Sequence, residues 1–210
     1  MREALTVDRS IPGGMLGLLV RASAPFTSVI VGLLLLHSAW LTIVLYHVQI
    51  LFWSWGEFHR LRYGWSMPAA LAMGIPAALS GPLTYVLLPR MVSVPLREWL
   101  ASIGLQGSAF VAFVFYYGLV HPLLEQAHWG TIRRDGRLGV WSHITFAAYH
   151  GLVLHAFMRT EWAIVCLFIL ASSSFAWHRV HTRPSGGLAI PAFSHLLADF
   201  ALVLAVWARL

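Results

Sequence analysis

Eleven histidines and eight acidic residues occur in this chain of 210 residues, and several of them are spaced to share one face of a helix. Residues three, four or seven positions apart in an α-helix lie on the same side. Three stripes follow this spacing: His121, Glu125 and His128; His143, Phe146 and His150; and His195 with Asp199. If the stripes converge, they enclose a polar pocket that could activate water or bind a metal ion.

Glu125 and Asp199 are the two acids that stand within long apolar segments. A carboxylate at membrane depth costs at least about 2 kcal/mol on insertion scales, so it normally faces a polar interior and marks a functional site. A helix-bridging hydrogen bond is the alternative for either residue. For six other histidines an interfacial or helix-bridging position is expected: His37, His47, His59, His155, His178 and His181.

The composition predicts an integral, multi-pass membrane protein. Hydrophobic residues make up 59% of the chain, charged residues only 10%, and the mean hydropathy is +0.72. All 14 basic residues are arginine and form no long basic run, which argues against a nucleic-acid partner. The single cysteine, Cys166, excludes an intramolecular disulfide and a cysteine-rich metal site. No removable signal peptide is expected, and a bacterial or archaeal inner membrane is the expected location.

The spacing of charges predicts an all-α bundle of six or seven transmembrane helices in a single domain, 1–210, with the site in about 103–208. Roughly 20 apolar residues are needed to cross the bilayer core. Pro68, Pro76 and Pro82, within the second window, predict a broken helix. Counted over six spans, seven arginines fall on each side, so the sequence gives no orientation. The six windows are 22–56, 63–89, 99–124, 138–158, 162–177 and 188–208.

Three blocks of sequence resemble the CPBP intramembrane proteases, a family named for CAAX-processing and bacteriocin-immunity members. The run YYGLVHPLLEQAHWG (116–130) is similar to the family's EExxxR motif, and FAAYH (146–150) is similar to its FxxxH motif. The segment SGGLAIPAFSHLLADF (185–200) is similar to its third motif, HxxxN or HxxxD. Two positions depart from the first motif, since Gln126 replaces its second Glu and Gly130 replaces its Arg.

The resemblance implies an endopeptidase that needs no metal and cleaves a peptide or a prenylated or otherwise lipidated peptide among membrane lipids. Glu125 would activate water with the help of His150, while His195 and Asp199 would stabilise the oxyanion. A buried base and fixed donors in a low-dielectric pocket suit that chemistry on physical grounds as well. The supporting residues are Gln126, His128, Phe146, His121 and His143, and His128 is the candidate to replace the missing Arg.

Two other functions remain open from the sequence. Glu125 and His128, three residues apart, could begin a Zn or Fe site that His150, His195 and Asp199 complete, as in carboxylate-bridged bundles. Alternatively, the protein could be a non-catalytic member of the fold that binds lipid or a partner protein.

Overall fold

The computed structural model describes residues 13–181 and 187–210, and nearly all of this part is helical. No β-strand occurs among these residues, which confirms the predicted all-α bundle. The N-terminal charges and the signal-peptide prediction (1–12), and the start of the third motif at Ser185 and Gly186, lie outside the described residues. The helices are α1 Gly14–Ser28, α2 Ala39–Ser54, α3 Met67–Ala78, α4 Ser80–Met91, α5 Leu96–Ser102, α6 Gly107–Leu119, α7 His121–Asp135, α8 Trp141–Leu154, α9 Thr160–His181 and α10 Ala189–Arg209.

Five helical segments are long and apolar enough to cross a bilayer, so the protein is a multi-pass membrane protein. They are Gly14–Leu35, Met67–Met91, Gly107–Asp135, Thr160–His181 and Ala189–Arg209. The second is broken between α3 and α4, as its prolines predict, and the third between α6 and α7, just before Pro122. Proline lacks the backbone donor that a continuous helix needs and clashes with the preceding turn.

The first window, 22–56, counts as one span in the sequence, and the structure corrects this. The chain instead forms an antiparallel hairpin, in which α1 continues as a π-helical segment, Val29–Leu35, and α2 returns after a turn at 36–38. Gln49 donates to Ser28 Oγ at 2.9 Å, and Arg21 donates to the Trp53 carbonyl at 3.3 Å. Arg21 therefore lies within the first helix, because its long side chain can reach the polar backbone of α2. The charge of Arg21 does not mark the end of a helix, although the sequence windows were bounded by charged residues.

With this hairpin the helices run back and forth between two ends of the bundle. The first end comprises residues 54–66, 135–140 and 187–188, where the Leu188 amide donates to the Arg60 carbonyl at 2.9 Å. The second comprises 36–38, 92–106 and 155–159, where the Ala39 amide donates to the Ile103 carbonyl at 3.0 Å. We call these the arginine-rich end and the arginine-poor end. Of the arginines that the structure describes, seven lie toward the former (21, 60, 62, 133, 134, 137, 179) and four toward the latter (90, 97, 159, 209).

An ion pair joins two helical segments at the arginine-rich end. Arg134 donates to both carboxylate oxygens of Glu57, at 2.7 and 2.8 Å. Burial alone would raise the pKa of Glu57, but the hydrogen bonds and charge of Arg134 outweigh it, so the pKa lies below its ordinary value. This pair fixes the short 3-10 segment Trp55–Arg62 against the end of α7.

Helices α7 and α10 form the centre of the bundle and carry the candidate residues. Eleven residues of α7, from His121 to Arg133, are buried, whereas large apolar side chains elsewhere face outward as expected in lipid. Small residues allow the close approach of α10 to its neighbours. A Cβ on Gly118 of α6 would stand 2.9 Å from the Phe200 Cα, and one on Gly81 of α4 would stand 2.9 Å from the Ala201 carbonyl oxygen.

Candidate functional site

Glu125 lies at the centre of the bundle with no exposed surface, and one of its two oxygens is held by tyrosines. Tyr46 of α2 donates to Oε1 at 2.8 Å, and Tyr149 of α8 donates to the same atom. Trp129, one turn further along α7, donates to the Tyr46 hydroxyl at 2.9 Å. Each tyrosine hydroxyl has one proton, so these bonds orient the carboxylate and leave Oε2 pointing into the pocket.

Two carboxylate oxygens face the same imidazole nitrogen without bonding to it. Glu125 Oε2 is 3.8 Å from His195 Nε2 and 3.5 Å from His121 Nε2, and Asp199 Oδ2 is 3.4 Å from His195 Nε2. Both oxygens are buried, and neither accepts a hydrogen bond from any residue in the described part of the chain. Buried polar atoms normally have partners, so unpaired oxygens beside a donor indicate a place where a small polar group binds.

A chain of hydrogen bonds determines which nitrogen of His195 carries the proton. Arg133 Nη2 donates to Gln126 Oε1 at 2.8 Å, and because guanidinium only donates, that amide atom must be the oxygen. The Gln126 amide nitrogen therefore faces His195 Nδ1, at 3.1 Å, and donates to it. In the neutral ring Nδ1 is then the acceptor and Nε2 carries the hydrogen. The arrangement presents an N–H donor to the space between Glu125 and Asp199.

His150 packs beside Tyr149 and makes no direct hydrogen bond to Glu125. Its Nδ1 donates to the Phe146 carbonyl at 2.8 Å, which leaves Nε2 as the acceptor nitrogen of the neutral ring. The ring packs on Tyr149, with centroids 4.0 Å apart, and Tyr149 in turn donates to Glu125 Oε1. His150 is thus placed to accept a proton or hold water near the carboxylate.

Two histidines of the predicted stripes lie away from Glu125. His128 Nε2 donates to the Arg21 carbonyl oxygen at 3.1 Å, and His128 Nδ1 is 3.4 Å from Ser54 Oγ, so both nitrogens face α1 and α2. His143 Nδ1 lies 2.9 Å from Ser174 Oγ on α9. Arg133, rather than His128, bonds to a motif position, because it reaches back two turns to Gln126, which stands where the motif has its second Glu.

Phe146 closes the pocket on its apolar side. It has no exposed surface, and its ring makes edge contacts with Trp129, His150 and His195. The Arg133 guanidinium lies 5.8 Å from the ring centroid. An aromatic wall of this kind keeps the polar groups in a low-dielectric setting, where charges and dipoles interact strongly.

The innermost residues of the polar cluster are closed to the surface. Glu125 and His195 are 0% and 2% exposed, respectively, whereas the Asp199 side chain is 17% exposed. A surface groove of about 420 Å³ lies between the 3-10 segment, α7 and α10, but it contains none of the cluster residues; its lining is Leu61, Arg62, Trp65, Leu123, Ala189, Ala192, Phe193 and Leu196. A peptide could therefore reach Glu125 only after helices of the bundle move apart.

Sequence reasoning did not assign four contributing residues to the site. Tyr46 and His47 lie on α2, in the part of the chain without a motif, and Tyr149 stands inside the FxxxH block as one of its variable positions. Arg133 lies three residues beyond the end of the motif. The available signal was its position seven residues after Gln126, which places both side chains on one helix face.

The chain matches no family model, and no curated protein or solved structure is significantly similar to it. The likeness to the CPBP proteases thus rests on the three sequence blocks alone. In the part of the chain that the structure describes, no group of three or more His, Cys, Asp or Glu side chains is arranged to hold a metal ion.

Proposed function

We propose that the protein is an intramembrane endopeptidase, similar to the CPBP proteases, in which Glu125 activates water. The observation that supports this most is the pair of buried, unpaired carboxylate oxygens, Glu125 Oε2 and Asp199 Oδ2, around the N–H of His195. One oxygen can act as a base, and a fixed donor lies beside it. General base and oxyanion donor are the two parts that hydrolysis of an amide needs.

In the proposed reaction, water bound at Glu125 Oε2 attacks the carbonyl carbon of the scissile peptide bond and gives its proton to the carboxylate. The two tyrosine bonds to Oε1 keep the carboxylate from rotating during this transfer. The protonated Glu125 then delivers the proton to the leaving amine as the C–N bond breaks. The second proton of the water stays on the new carboxyl group, so the products are a carboxylic acid and an amine, and Glu125 is regenerated in its ionised form.

His195 supplies the donor for the oxyanion of the tetrahedral intermediate. Its Nε2–H has no hydrogen bond to Glu125 or Asp199, so it is available for a third oxygen. Asp199 lies one turn further along α10 and orients the ring, or donates itself when it is protonated. His150, with its acceptor nitrogen near the tyrosines, would hold the attacking water in place.

The test uses the purified protein in liposomes together with a bacterial inner-membrane protein extract, in water enriched in ¹⁸O. We expect new peptide termini, detected by mass spectrometry, that carry one ¹⁸O in the new carboxylate. Glu125→Gln keeps the size of the side chain but removes the base, and should lower the cleavage rate by about 10²- to 10⁴-fold. Glu161→Gln, an exposed acid in the first turn of α9, is the matched control and should cleave normally.

Undiminished cleavage by a folded Glu125→Gln variant would contradict the proposal. The metal content of each sample, measured by elemental mass spectrometry, addresses the alternative that the sequence left open. About one Zn or Fe per chain that Glu125→Gln and His150→Ala both lose would instead favour a metalloenzyme.

A further inference from the structure

His121 of α7 faces the same carboxylate oxygen as His195. His121 Nε2 is 3.5 Å from Glu125 Oε2, and His195 Nε2 is 3.8 Å from that oxygen. His121 is buried and lies one turn before Glu125 on α7, whereas His195 approaches the oxygen from α10. Two imidazole nitrogens from different helices therefore border the space beside the candidate base, and the proposed reaction uses one of them.

The contacts of His121 Nδ1 determine whether Nε2 of the same ring carries a hydrogen. His47 Nε2 of α2 is 2.9 Å from His121 Nδ1, and the Tyr116 hydroxyl of α6 is 2.8 Å from His47 Nδ1. With both rings neutral, two arrangements of protons satisfy these contacts. In the first, Tyr116 donates to His47 Nδ1, His47 Nε2–H donates to His121 Nδ1, and His121 carries its hydrogen on Nε2. In the second, each donor becomes an acceptor, and His121 Nε2 has a lone pair instead.

Two observations favour the first arrangement. In the second, the lone pair of His121 Nε2 would face an ionised carboxylate oxygen 3.5 Å away, in a buried setting where such repulsion is strong. The Tyr116 hydroxyl hydrogen would also have no acceptor among the described residues, and within the membrane-spanning segment Gly107–Asp135 lipid does not supply one. His121 therefore carries its hydrogen on Nε2, the nitrogen that faces Glu125.

The surroundings of His121 hold this N–H in one direction. The rings of His47 and His121 are stacked with centroids 5.2 Å apart, and Tyr117 of α6 also stacks on His121, at 4.5 Å. The hydrogen bond from His47 prevents the His121 ring from turning over, because Nδ1 must remain the acceptor. A donor that is fixed before the reaction needs no reorganisation when negative charge develops, which is the condition for effective stabilisation of an oxyanion.

We propose that His121 is a catalytic residue that donates Nε2–H, together with His195, to the oxyanion of the tetrahedral intermediate. This inference rests on the proposed function, since it adds a second donor to the same hydrolysis. As water attacks, the electron pair of the carbonyl double bond moves onto its oxygen, which accepts hydrogen bonds from both imidazoles. The double bond forms again when the C–N bond breaks, and neither imidazole gives up its proton. His47 and Tyr116 are positioning residues, because neither contacts Glu125.

The kinetic test uses the full-length protein in liposomes and a synthetic peptide that spans a site cleaved by the wild-type protein in the experiment above. His121→Phe keeps a ring for stacking but removes the donor, so kcat should fall by about 10²- to 10³-fold with KM nearly unchanged. His121→Gln should retain most of the activity, because its oxygen can accept from His47 while its NH₂ group faces the pocket. His181→Phe makes the same change at a buried histidine near the Gly187 carbonyl and should cleave normally.

The tautomer of His121 is measured without any substrate, by ¹⁵N NMR of the wild-type protein labelled at histidine. Its signals are identified by their absence in His121→Gln, and we expect the hydrogen on Nε2. A hydrogen on Nδ1 would overturn the inference, even if His121→Phe does not fold.

The kinetic outcomes separate this inference from the proposed function. Normal cleavage by folded His121→Phe, an effect on KM alone, or equally slow cleavage by His121→Phe and His121→Gln would overturn the role of His121 while the peptidase activity stands. Wild-type protein that cleaves no peptide would contradict the proposed function itself, and with it a catalytic role for His121.

Discussion

At the scale of single residues, Arg133 and Gln126 together determine what His195 can do. In the EExxxR motif that the sequence resembles, a second Glu occupies the position of Gln126. A carboxylate there would accept a hydrogen bond from His195 Nδ1–H, whereas the Gln126 amide donates to Nδ1 and leaves the hydrogen on Nε2. The replacement therefore changes which ring nitrogen offers a proton to the pocket, and Arg133 fixes the orientation of the amide.

Arg133→Met should release the Gln126 amide from its fixed orientation, with little effect on the free energy of unfolding. The change leaves Gln126 Oε1 without a donor, at a cost of about 1–3 kcal/mol. It also removes a buried cation that makes no hydrogen bond to a carboxylate among the described residues, and replacing buried charge by apolar side chains often stabilises by about 1–4 kcal/mol. We expect similar thermal unfolding, a mixture of His195 tautomers by ¹⁵N NMR, and cleavage reduced by about 10- to 100-fold, as for other outer supporting residues.

The control for this prediction is Arg134→Met, which makes the same change of charge at the next residue. Arg134 bonds to Glu57 at the arginine-rich end and does not touch the site. The His195 tautomer should therefore be unchanged. A single Nε2–H tautomer that persists in Arg133→Met would show that Arg133 does not control Gln126.

At the scale of helices, the site depends on how closely α6, α7 and α10 approach each other. Gly118 and Gly130 line this contact, and a Cβ on Gly130 would meet the Leu188 side chain at 2.7 Å. Close packing of small residues is the main source of helix association in lipid, where burial of apolar surface gives little advantage. The glycine that occupies the motif's Arg position thus leaves room for the Leu188 side chain.

Gly118→Ala should destabilise the bundle, and Gly151→Ala should not. The new methyl group at 118 would lie 2.9 Å from the Phe200 Cα, a backbone atom that moves only with the helix, and overpacking of this kind costs about 1–3 kcal/mol. At 151 the nearest atoms are Leu167 methyl groups at 3.5 Å, so alanine fits and gains about 0.5–1 kcal/mol of helix stability. Thermal unfolding in one detergent should order the proteins as Gly151→Ala, wild type, Gly118→Ala; the reverse order would contradict the α6–α10 contact.

At the scale of the whole molecule, the hairpin of α1 and α2 changes the orientation that the arginines predict. A single helix over 22–56 divided the arginines equally, but an extra crossing moves Arg21 to the side of Arg60 and Arg62. Seven of the described arginines then lie toward one end and four toward the other. Arginine-rich loops remain in the cytoplasm, so the arginine-rich end is predicted to be cytoplasmic.

Cysteine labelling in intact bacterial cells tests this orientation. Cys166 is the only cysteine, so Cys166→Ser provides a background without thiols. Val140→Cys at the arginine-rich end and Ser102→Cys at the arginine-poor end both replace exposed residues. A membrane-impermeant maleimide should label position 102 in intact cells and position 140 only after lysis. Labelling of 140 alone in intact cells would reverse the orientation, and labelling of both or neither would contradict a crossing between them.

The sequence alone determined that this protein lies in a membrane, and it identified the residues that could form a site. A composition of 59% hydrophobic residues leaves a membrane bundle as the available fold, because each backbone group in lipid must bond within a helix. Within a membrane, Glu125 and Asp199 are candidate functional residues, since burying a carboxylate in lipid is energetically costly. Prolines in the second span likewise predicted the break in that helix.

Only the tertiary structure decided which of those side chains meet. Helical periodicity places His121, Glu125 and His128 on one face, but a face of α7 contacts several neighbours along its length, so His121 meets His47 and His128 meets Arg21. Tyr46, Tyr149 and Arg133 enter the site for the same reason, from α2, from α8 and from two turns along α7. Spacing along one helix fixes directions within that helix alone, whereas contacts between helices depend on crossing angles and on small residues such as Gly118 that set their separation.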